Sequence, residues 1–498
     1  MESDLRDFFD NLRRTAETSR FSVAFSEAGK VLSVGDGIVQ VGGLRDAKLN
    51  ELIEFDRESW GIAFDLHADR IGIVLLAGGE GLKAGDAARK TNRVAVIEGG
   101  ESLLGRVVNA LGRPIDGGPP PENLTLCPID RIAPPLLFRD YISNPLYTGI
   151  KVIDAMLAIG RGQRALIVGD HASGKTALAV DTLINQKTSD VISIYVSIGQ
   201  SRARLLKTID EIKTHGEPSR TVILAADSGD SVGFQFLAPY SATAIAEFFM
   251  DRGRDVLIVY DDLSKHADAY RSLSLLLKRP PGREAYPGDI FFLHSRLLER
   301  STRIHRKYGG GSLTALPIVE TQQGRIASYI PTNLISITDG QIYLDGNLFN
   351  KGIRPAVDVT RSVSRIGGKA QIEAMRSAAE KLKIDYSRFL EVEIFTRFGA
   401  RVEEETERLL RRGRAMREIL KQPRFRPLPV EDQILVLLIL ESGGLDGREP
   451  GEVVPRCGEL LAGLKSRFPE ATARLRDEGR LSGLEREEID DFLAGTEA

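Results

Sequence analysis

Residues 169–176 read Gly169, Asp170, His171, Ala172, Ser173, Gly174, Lys175 and Thr176, which is the complete spacing G-x-x-x-x-G-K-[ST]. In such a loop the glycines let backbone N–H groups turn toward phosphate oxygens. Lys175 adds a point charge, and the Thr176 hydroxyl is an oxygen ligand for Mg²⁺. The apolar run 165–168 precedes the loop and a helix-forming run begins at Ala177. The loop therefore reads as a strand-to-helix turn that holds a nucleoside triphosphate.

A second run, residues 255–262, is aliphatic between acids and reads as a buried parallel strand that ends in carboxylates. Ligands of α/β sheets bind at the carboxyl ends of strands. Asp261 is thus expected opposite Thr176 on Mg²⁺, with Asp262 as its substitute.

These groups need a scaffold, and the chain's texture divides in three. From about Lys30 to Val96, short alternating runs (31–34, 38–41, 60–66 and 71–76) are broken by glycine pairs, which predicts a small β-barrel. Strands then alternate with helices around the two phosphate motifs to about Gln371, as in a doubly wound sheet. Beyond that, helical stripes (Met375, Ala378, Ala379, Leu382, then Val402, Thr406, Leu409, Leu410, Met416) predict a helical domain. The expected organisation is multidomain: N-terminal helix and β-barrel over 1–95, a central α/β P-loop nucleotide-binding domain over 96–371, and an α-helical C-terminal domain over 372–498. Leu5, Phe8, Phe9 and Leu12 at helical spacing suggest a short amphipathic helix, either docked on a partner or folded back on the barrel.

Composition narrows the classes. A net charge of −3 argues against general nucleic-acid binding. No aliphatic run approaches the roughly 18 residues that span a bilayer. The acidic N-terminus lacks an apolar signal core or a transit-peptide pattern. Cys127 and Cys457 match no zinc spacing, and Cys457, in register with Leu460 and Leu464, reads as a small core residue in a reduced cytoplasmic protein.

Several long stretches together resemble the alpha subunits of rotary F-type ATP synthases. They include Leu103-Leu-Gly-Arg-Val-Val-Asn-Ala-Leu-Gly-Arg-Pro-Ile-Asp116, Arg279-Pro-Pro-Gly-Arg-Glu284, His294-Ser-Arg-Leu-Leu-Glu-Arg300 and Gly309-Gly-Gly-Ser-Leu-Thr-Ala-Leu-Pro317. The resemblance implies a hexameric ring in which three such chains alternate with three beta subunits. It also implies a central-stalk gamma subunit, a peripheral stalk and a membrane sector as partners, with no nucleic acid. The implied location is peripheral, on the cytoplasmic face of the bacterial plasma membrane.

In that family the beta subunit turns over ATP, whereas alpha retains Mg-ATP or ADP at a non-catalytic site. Catalytic members place a Glu after the P-loop helix, in position to orient the attacking water. The matching segment here is Ile198-Gly-Gln-Ser-Arg202, with neutral Gln200 at that position. The resemblance further implies that Arg365, in Ser362-Val-Ser-Arg365, acts in trans as an arginine finger at the beta site, with Ser362 activity-related. The alternative role for Arg365 is an interface ion pair. Phe349, Arg354, Pro355 and Gln422 match residues around alpha's nucleotide.

Three departures stand out: His171, Ala172 and Ser173 replace the usual Arg-Gln-Thr, Arg424 replaces a second glutamine, and the N-terminal segment is short. The first two imply weaker Mg-ATP binding, and the third an altered peripheral-stalk contact. A catalytic beta-like ATPase of a secretion motor and a ring-shaped nucleic-acid translocase are the competing readings, opposed by Gln200 and by the acidic balance respectively.

Overall fold

The computed structural model describes residues 28–56, 59–77, 79, 81–396 and 403–495. The N-terminal helix expected from Leu5, Phe8, Phe9 and Leu12 lies outside the described residues, as does Val402 of the helical stripe. The chain forms two compact units that divide after Val94.

The first unit is a six-stranded closed barrel. Its strands are β1 (Ala28–Gly35), β2 (Ile38–Gly42), β3 (Glu51–Phe55), β4 (Ser59–Leu66), β5 (Ile71–Ala77) and β6 (Ala87–Val94), ordered β1-β2-β5-β4-β3-β6. Asp36 and Gly37 both have positive φ and join β1 to β2 through the two-residue turn that matches strand twist. Alternation along β3 buries Ile53 and Phe55, which pack with Val39, Val41 and Ile73 inside the barrel. Closure leaves no edge strand exposed.

The second unit begins with β7 (Val96–Gly99), paired antiparallel with β9 (Thr125–Pro128). Its main sheet has eight strands in the order β16-β15-β10-β14-β13-β11-β12-β8. These are β8 (Val107–Asn109), β10 (Leu166–Asp170), β11 (Ile192–Gln200), β12 (Thr221–Asp227), β13 (Asp255–Asp261), β14 (Ser312–Thr321), β15 (Gly340–Leu344) and β16 (Val363–Ser364). All neighbours run parallel except β15 and β16. Leu166, Ile167 and Val168 of β10 and residues 256–260 of β13 are completely buried, as continuous apolar runs in a sheet covered on both faces must be. Because β14 lies between β10 and β13, the carboxyl ends of these three strands converge on one cleft.

Among the described residues, seven α-helices from Glu373 to Gly495 form the helical part of the same unit. Helix Val430–Ser442 is apolar nearly all round, with residues 431–440 all buried, and it forms the centre around which the others pack. Gly443, at φ 89°, ends it in the left-handed conformation. Met375, Ala379 and Leu382 are buried as the stripe requires, although the chain breaks between helices Glu373–Ala379 and Leu382–Thr396 rather than running as one. Cys457 is buried in helix Pro450–Arg467, and its surroundings push the thiol up to about 11, so it behaves as a small apolar residue. Among the described residues no helix is long and apolar enough to cross a membrane.

Candidate nucleotide site

The phosphate loop leaves β10 and enters helix Lys175–Asn185. Gly169 has no room for a side chain: an added Cβ would lie 2.6 Å from Ser173 Oγ and 2.7 Å from the Leu344 carbonyl. Gly174 and Ala172 carry the loop's positive φ values, 101° and 59°. Ser173 Oγ donates to the Asp170 carbonyl at 2.8 Å, closing the turn on itself. The Asp170 carboxylate accepts from Thr321 Oγ1 at 2.6 Å and from Gly324 N at 2.9 Å, fixing the loop to the end of β14. His171 points outward and faces Glu320 at 3.3 Å.

Lys175 is buried and lies folded onto its own loop, with Nζ 2.9 Å from the Gly169 carbonyl and 2.5 Å from that of Asp170. Burial lowers its pKa, against the opposing pull of Glu320, Asp262 and Asp261. An anion entering the loop would relieve that desolvation and take over the ammonium's hydrogen bonds.

Thr176 Oγ1 donates to Asp261 Oδ2 at 2.7 Å. Two oxygen groups in contact at the mouth of a phosphate loop are the donor set that a hard divalent cation requires, so these residues fit Mg²⁺. Tyr195 OH also donates to Asp261 Oδ2, at 2.8 Å, and holds the carboxylate in place from β11. Asp262 does other work: it accepts from Lys265 N at 2.8 Å and caps helix Leu263–Leu276. Burial, then its neighbour Asp261, pushes the Asp262 carboxyl up to about 7.

Gln200 is buried at the end of β11, where Nε2 donates to the Asp261 carbonyl at 3.1 Å. Its Oε1 is buried without a hydrogen-bond partner among the described residues. An amide oxygen there can accept from a water, but it cannot take up a proton as a carboxylate would.

Beside the loop lies a cavity of about 430 Å³ lined by Ser173, Gly174, Ala177, Asp181, Phe349, Arg354, Pro355, Gln422, Pro423 and Arg424, among others. The structure thus gathers the four residues singled out at 349–355 and 422 with the phosphate loop. Arg354 stacks over the Phe349 ring, its guanidinium carbon 4.3 Å from the centroid. The Gln422 amide is committed to backbone: Oε1 accepts from Lys151 N at 3.1 Å, and Nε2 donates to the carbonyls of Gly149 at 2.7 Å and Arg426 at 2.8 Å. It shapes the pocket wall by bridging two segments. Arg424 pairs with Glu211 at 2.9 Å and lies over the Phe425 ring. Asp181 accepts from Phe425 N at 3.2 Å, and burial raises its carboxyl to about 6.

Arg365 lies apart from this pocket. Its backbone N donates to the Asp339 carbonyl at 2.9 Å, while the exposed side chain has no hydrogen bond or ion pair among the described residues. Ser362 is buried; its hydroxyl donates to the Asp358 carbonyl at 2.6 Å and accepts from Tyr343 N at 2.9 Å, anchoring the segment that presents Arg365.

Sequence reasoning did not single out Tyr195, Arg204, Glu320, Asp181 or Glu211. Arg204 lies close after the Gln200 segment and was open to notice, whereas the others meet the site only through the sheet order and the return of the helical domain.

A barrel, a P-loop sheet with a hydrogen-bonded Thr176–Asp261 pair at the loop and a helical domain define a nucleotide-binding subunit of a multidomain P-loop protein. The family models of the ATP synthase alpha/beta family match in the same order: the beta-barrel domain over residues 25–92, the nucleotide-binding domain over 149–364 and the C-terminal domain over 371–496. The chain belongs to the ATP synthase alpha/beta family.

Among its relatives, the ATP synthase subunit alpha of Caldanaerobacter subterraneus subsp. tengcongensis is 50% identical over 457 residues, 92% of this chain and 90% of that protein. The ATP synthase subunit alpha of Dehalococcoides mccartyi is 48% identical over 92% of each chain. The ATP synthase subunit alpha 2 of Syntrophotalea carbinolica is 48% identical over 95% of this chain and 90% of its own length.

Proposed function

We infer that this chain is an alpha-type, nucleotide-holding subunit of an F-type ATP synthase, one part of an ATPase/synthase complex that it forms with beta and other subunits. The observation that carries the non-catalytic assignment is Gln200. The site retains the phosphate loop, Lys175 and the Thr176–Asp261 pair, yet it has an amide where the catalytic members of the family place a glutamate; an amide can orient a water, as in some GTPases, but cannot take its proton. In this reading the loop N–H groups and Lys175 bind the phosphates, and Thr176 and Asp261 hold Mg²⁺. The metal supplies neutralising charge to the phosphate oxygens.

Arg365 is the group that acts on chemistry, across the interface at the beta site, where its permanent charge stabilises the transferring phosphoryl group. Its exposed side chain, without a hydrogen bond or ion pair among the described residues, supports this role. Ser362 positions the segment. The further partners are three beta subunits alternating with three copies of this chain, a central-stalk gamma subunit, a peripheral stalk and a membrane sector; the complex sits on the cytoplasmic face of a bacterial plasma membrane. Residues 1–95, 96–371 and 372–498 are its barrel, nucleotide and helical domains.

The relatives' shared alpha designation speaks against a beta-like export motor. The deciding experiment compares ATP binding and turnover by the purified chain with turnover by rings rebuilt with the cognate beta subunit. Binding without turnover by the chain alone, and activity only in the ring, is the expected result. Turnover by the isolated chain would overturn the assignment.

A further inference from the structure

Arg204 stands in the first turn of helix Arg202–His215, and its Nη2 donates to Thr176 Oγ1 at 2.8 Å. The same hydroxyl gives its hydrogen to Asp261 Oδ2. Arg204 therefore occupies one of the two lone pairs of that oxygen, and a metal ligated by Thr176 would sit on the other, directly beside the guanidinium. Magnesium demands its oxygen ligands at about 2.0–2.1 Å in an octahedron, whereas a guanidinium only donates and never loses its charge. A dication and a guanidinium against the one half-buried Thr176 hydroxyl repel each other, and the exposed Arg204 side chain is free to give way when the metal enters. Thr176 faces one or the other.

The surrounding charge agrees with this placement. Lys175 Nζ lies on the loop carbonyls of Gly169 and Asp170 and the Arg204 guanidinium lies on Thr176, so two cations flank the phosphate cradle. Arginine's planar fork also matches phosphate oxygens better than a point charge does.

We propose that Arg204 is a built-in counter-charge that takes the place of Mg²⁺ beside Thr176, so that this chain holds ATP or ADP without the divalent ion. The proposal rests on the nucleotide-site reading above. It concerns a residue outside the phosphate-loop motif, and it assigns the site a metal-free bound state in addition to the Mg-nucleotide state.

The test uses the purified full-length chain and a ribose-labelled fluorescent ATP, titrated once in excess Mg²⁺ and once in EDTA. Wild type is expected to bind within about threefold under the two conditions, whereas Arg204→Ala matches it in Mg²⁺ and binds about tenfold or more weakly in EDTA, the size of a lost charge-assisted hydrogen bond. Arg204→Lys keeps the charge without the fork and falls between them. Equal losses in EDTA for wild type and Arg204→Ala overturn the proposal. So does an equal loss by Arg204→Ala in both conditions, which would make Arg204 a phosphate ligand indifferent to metal. Failure of folded wild type to bind the probe even in Mg²⁺ would instead sink the nucleotide-site reading, and this proposal with it.

Discussion

Arg300 and Glu247 face each other as a two-pronged ion pair from which water is excluded, with Nε 2.9 Å from Oε1 and Nη2 2.7 Å from Oε2. The remaining arm of Arg300 donates to the Ile129 carbonyl at 2.8 Å, so one guanidinium ties helix Val232–Met250 to the 129 loop. Glu247→Ala leaves that charge buried and unmatched and is expected to cost about 3–5 kcal/mol. The check is the urea midpoint followed by far-UV circular dichroism. An unchanged midpoint would mean that solvent reaches the pair after all.

Gly413 lies in helix Glu404–Leu420 directly against Phe389, and a Cβ there would fall 2.0 Å from Phe389 Cγ and 2.6 Å from its Cβ. Helix propensity alone favours alanine over glycine by about 1 kcal/mol. Overpacking a core costs about 1–3 kcal/mol, and the Phe389 Cβ cannot swing away as a flexible side-chain end would. Gly413→Ala is therefore predicted to lower the melting temperature. A rise would show that the two helices can separate at little cost.

Lys175 spends its hydrogen bonds on its own loop in the structure described, and it must exchange them for phosphate when nucleotide enters. Lys175→Ala removes a charge-assisted contact to an anion, an expected loss of roughly 2–3 kcal/mol, or about 30- to 150-fold in affinity. The loop fold should survive, because Ser173 and Asp170 pin it independently. Isothermal titration with Mg-ATP reads the affinity, and circular dichroism reads the fold.

Arg365→Ala is expected to leave nucleotide affinity of the isolated chain unchanged, since the side chain lies apart from that pocket. In rings rebuilt with the cognate beta subunit it should lower turnover by about 10³ or more, the scale of an arginine finger. Intact ring assembly with a loss below tenfold would reduce Arg365 to an interface ion pair.

Asp181 gives the pocket a pH dependence whose sign is fixed. Burial raises its carboxyl in the folded chain to about 6, above the ordinary 3.8. Between those values the folded protein holds a proton that the unfolded chain has released. The contribution of Asp181 to stability therefore falls as pH rises from about 4 to about 6, and is level above. Asp181→Asn still accepts from Phe425 N but does not titrate. Wild type should lose stability relative to this variant across that window, as followed by thermal melts at a series of pH values.

Local motifs were legible from residues alone. The spacing of Gly169 to Thr176 announces a strand-to-helix turn, and the structure puts it between β10 and helix Lys175–Asn185; the run 255–262 announces a strand ending in acid, and Asp261 meets Thr176 there. The barrel was readable because strand alternation repeats and Asp36-Gly37 marks a hairpin. What stayed hidden is long-range. Tyr195 reaches the cleft because β11 pairs with β13, and Glu320 because β14 lies between β10 and β13, an order no local pattern encodes. Family likeness points to Gln422 as a nucleotide contact; it lines the cavity beside the loop, and the fold adds that its amide bonds the Lys151, Gly149 and Arg426 backbone. The same likeness makes Ser362 activity-related, and the fold adds that its hydroxyl bonds Tyr343 N and the Asp358 carbonyl. In both cases the residue type announces polarity, but only the fold says where that polarity is used.

The Gln422 bridge also has a mechanical meaning. Pro423, Arg424 and Pro427 belong to the link between helices Glu404–Leu420 and Val430–Ser442, while Phe349 and Arg354 belong to the sheet side, and the same cavity touches all five. A molecule seated there touches the helical link and the sheet side of one compact unit at once. Each bond it makes to one side is held in register with those to the other, so its affinity and the closeness of the two segments depend on each other reciprocally. A nucleotide that is held and never broken would thus act as a clasp across the fold.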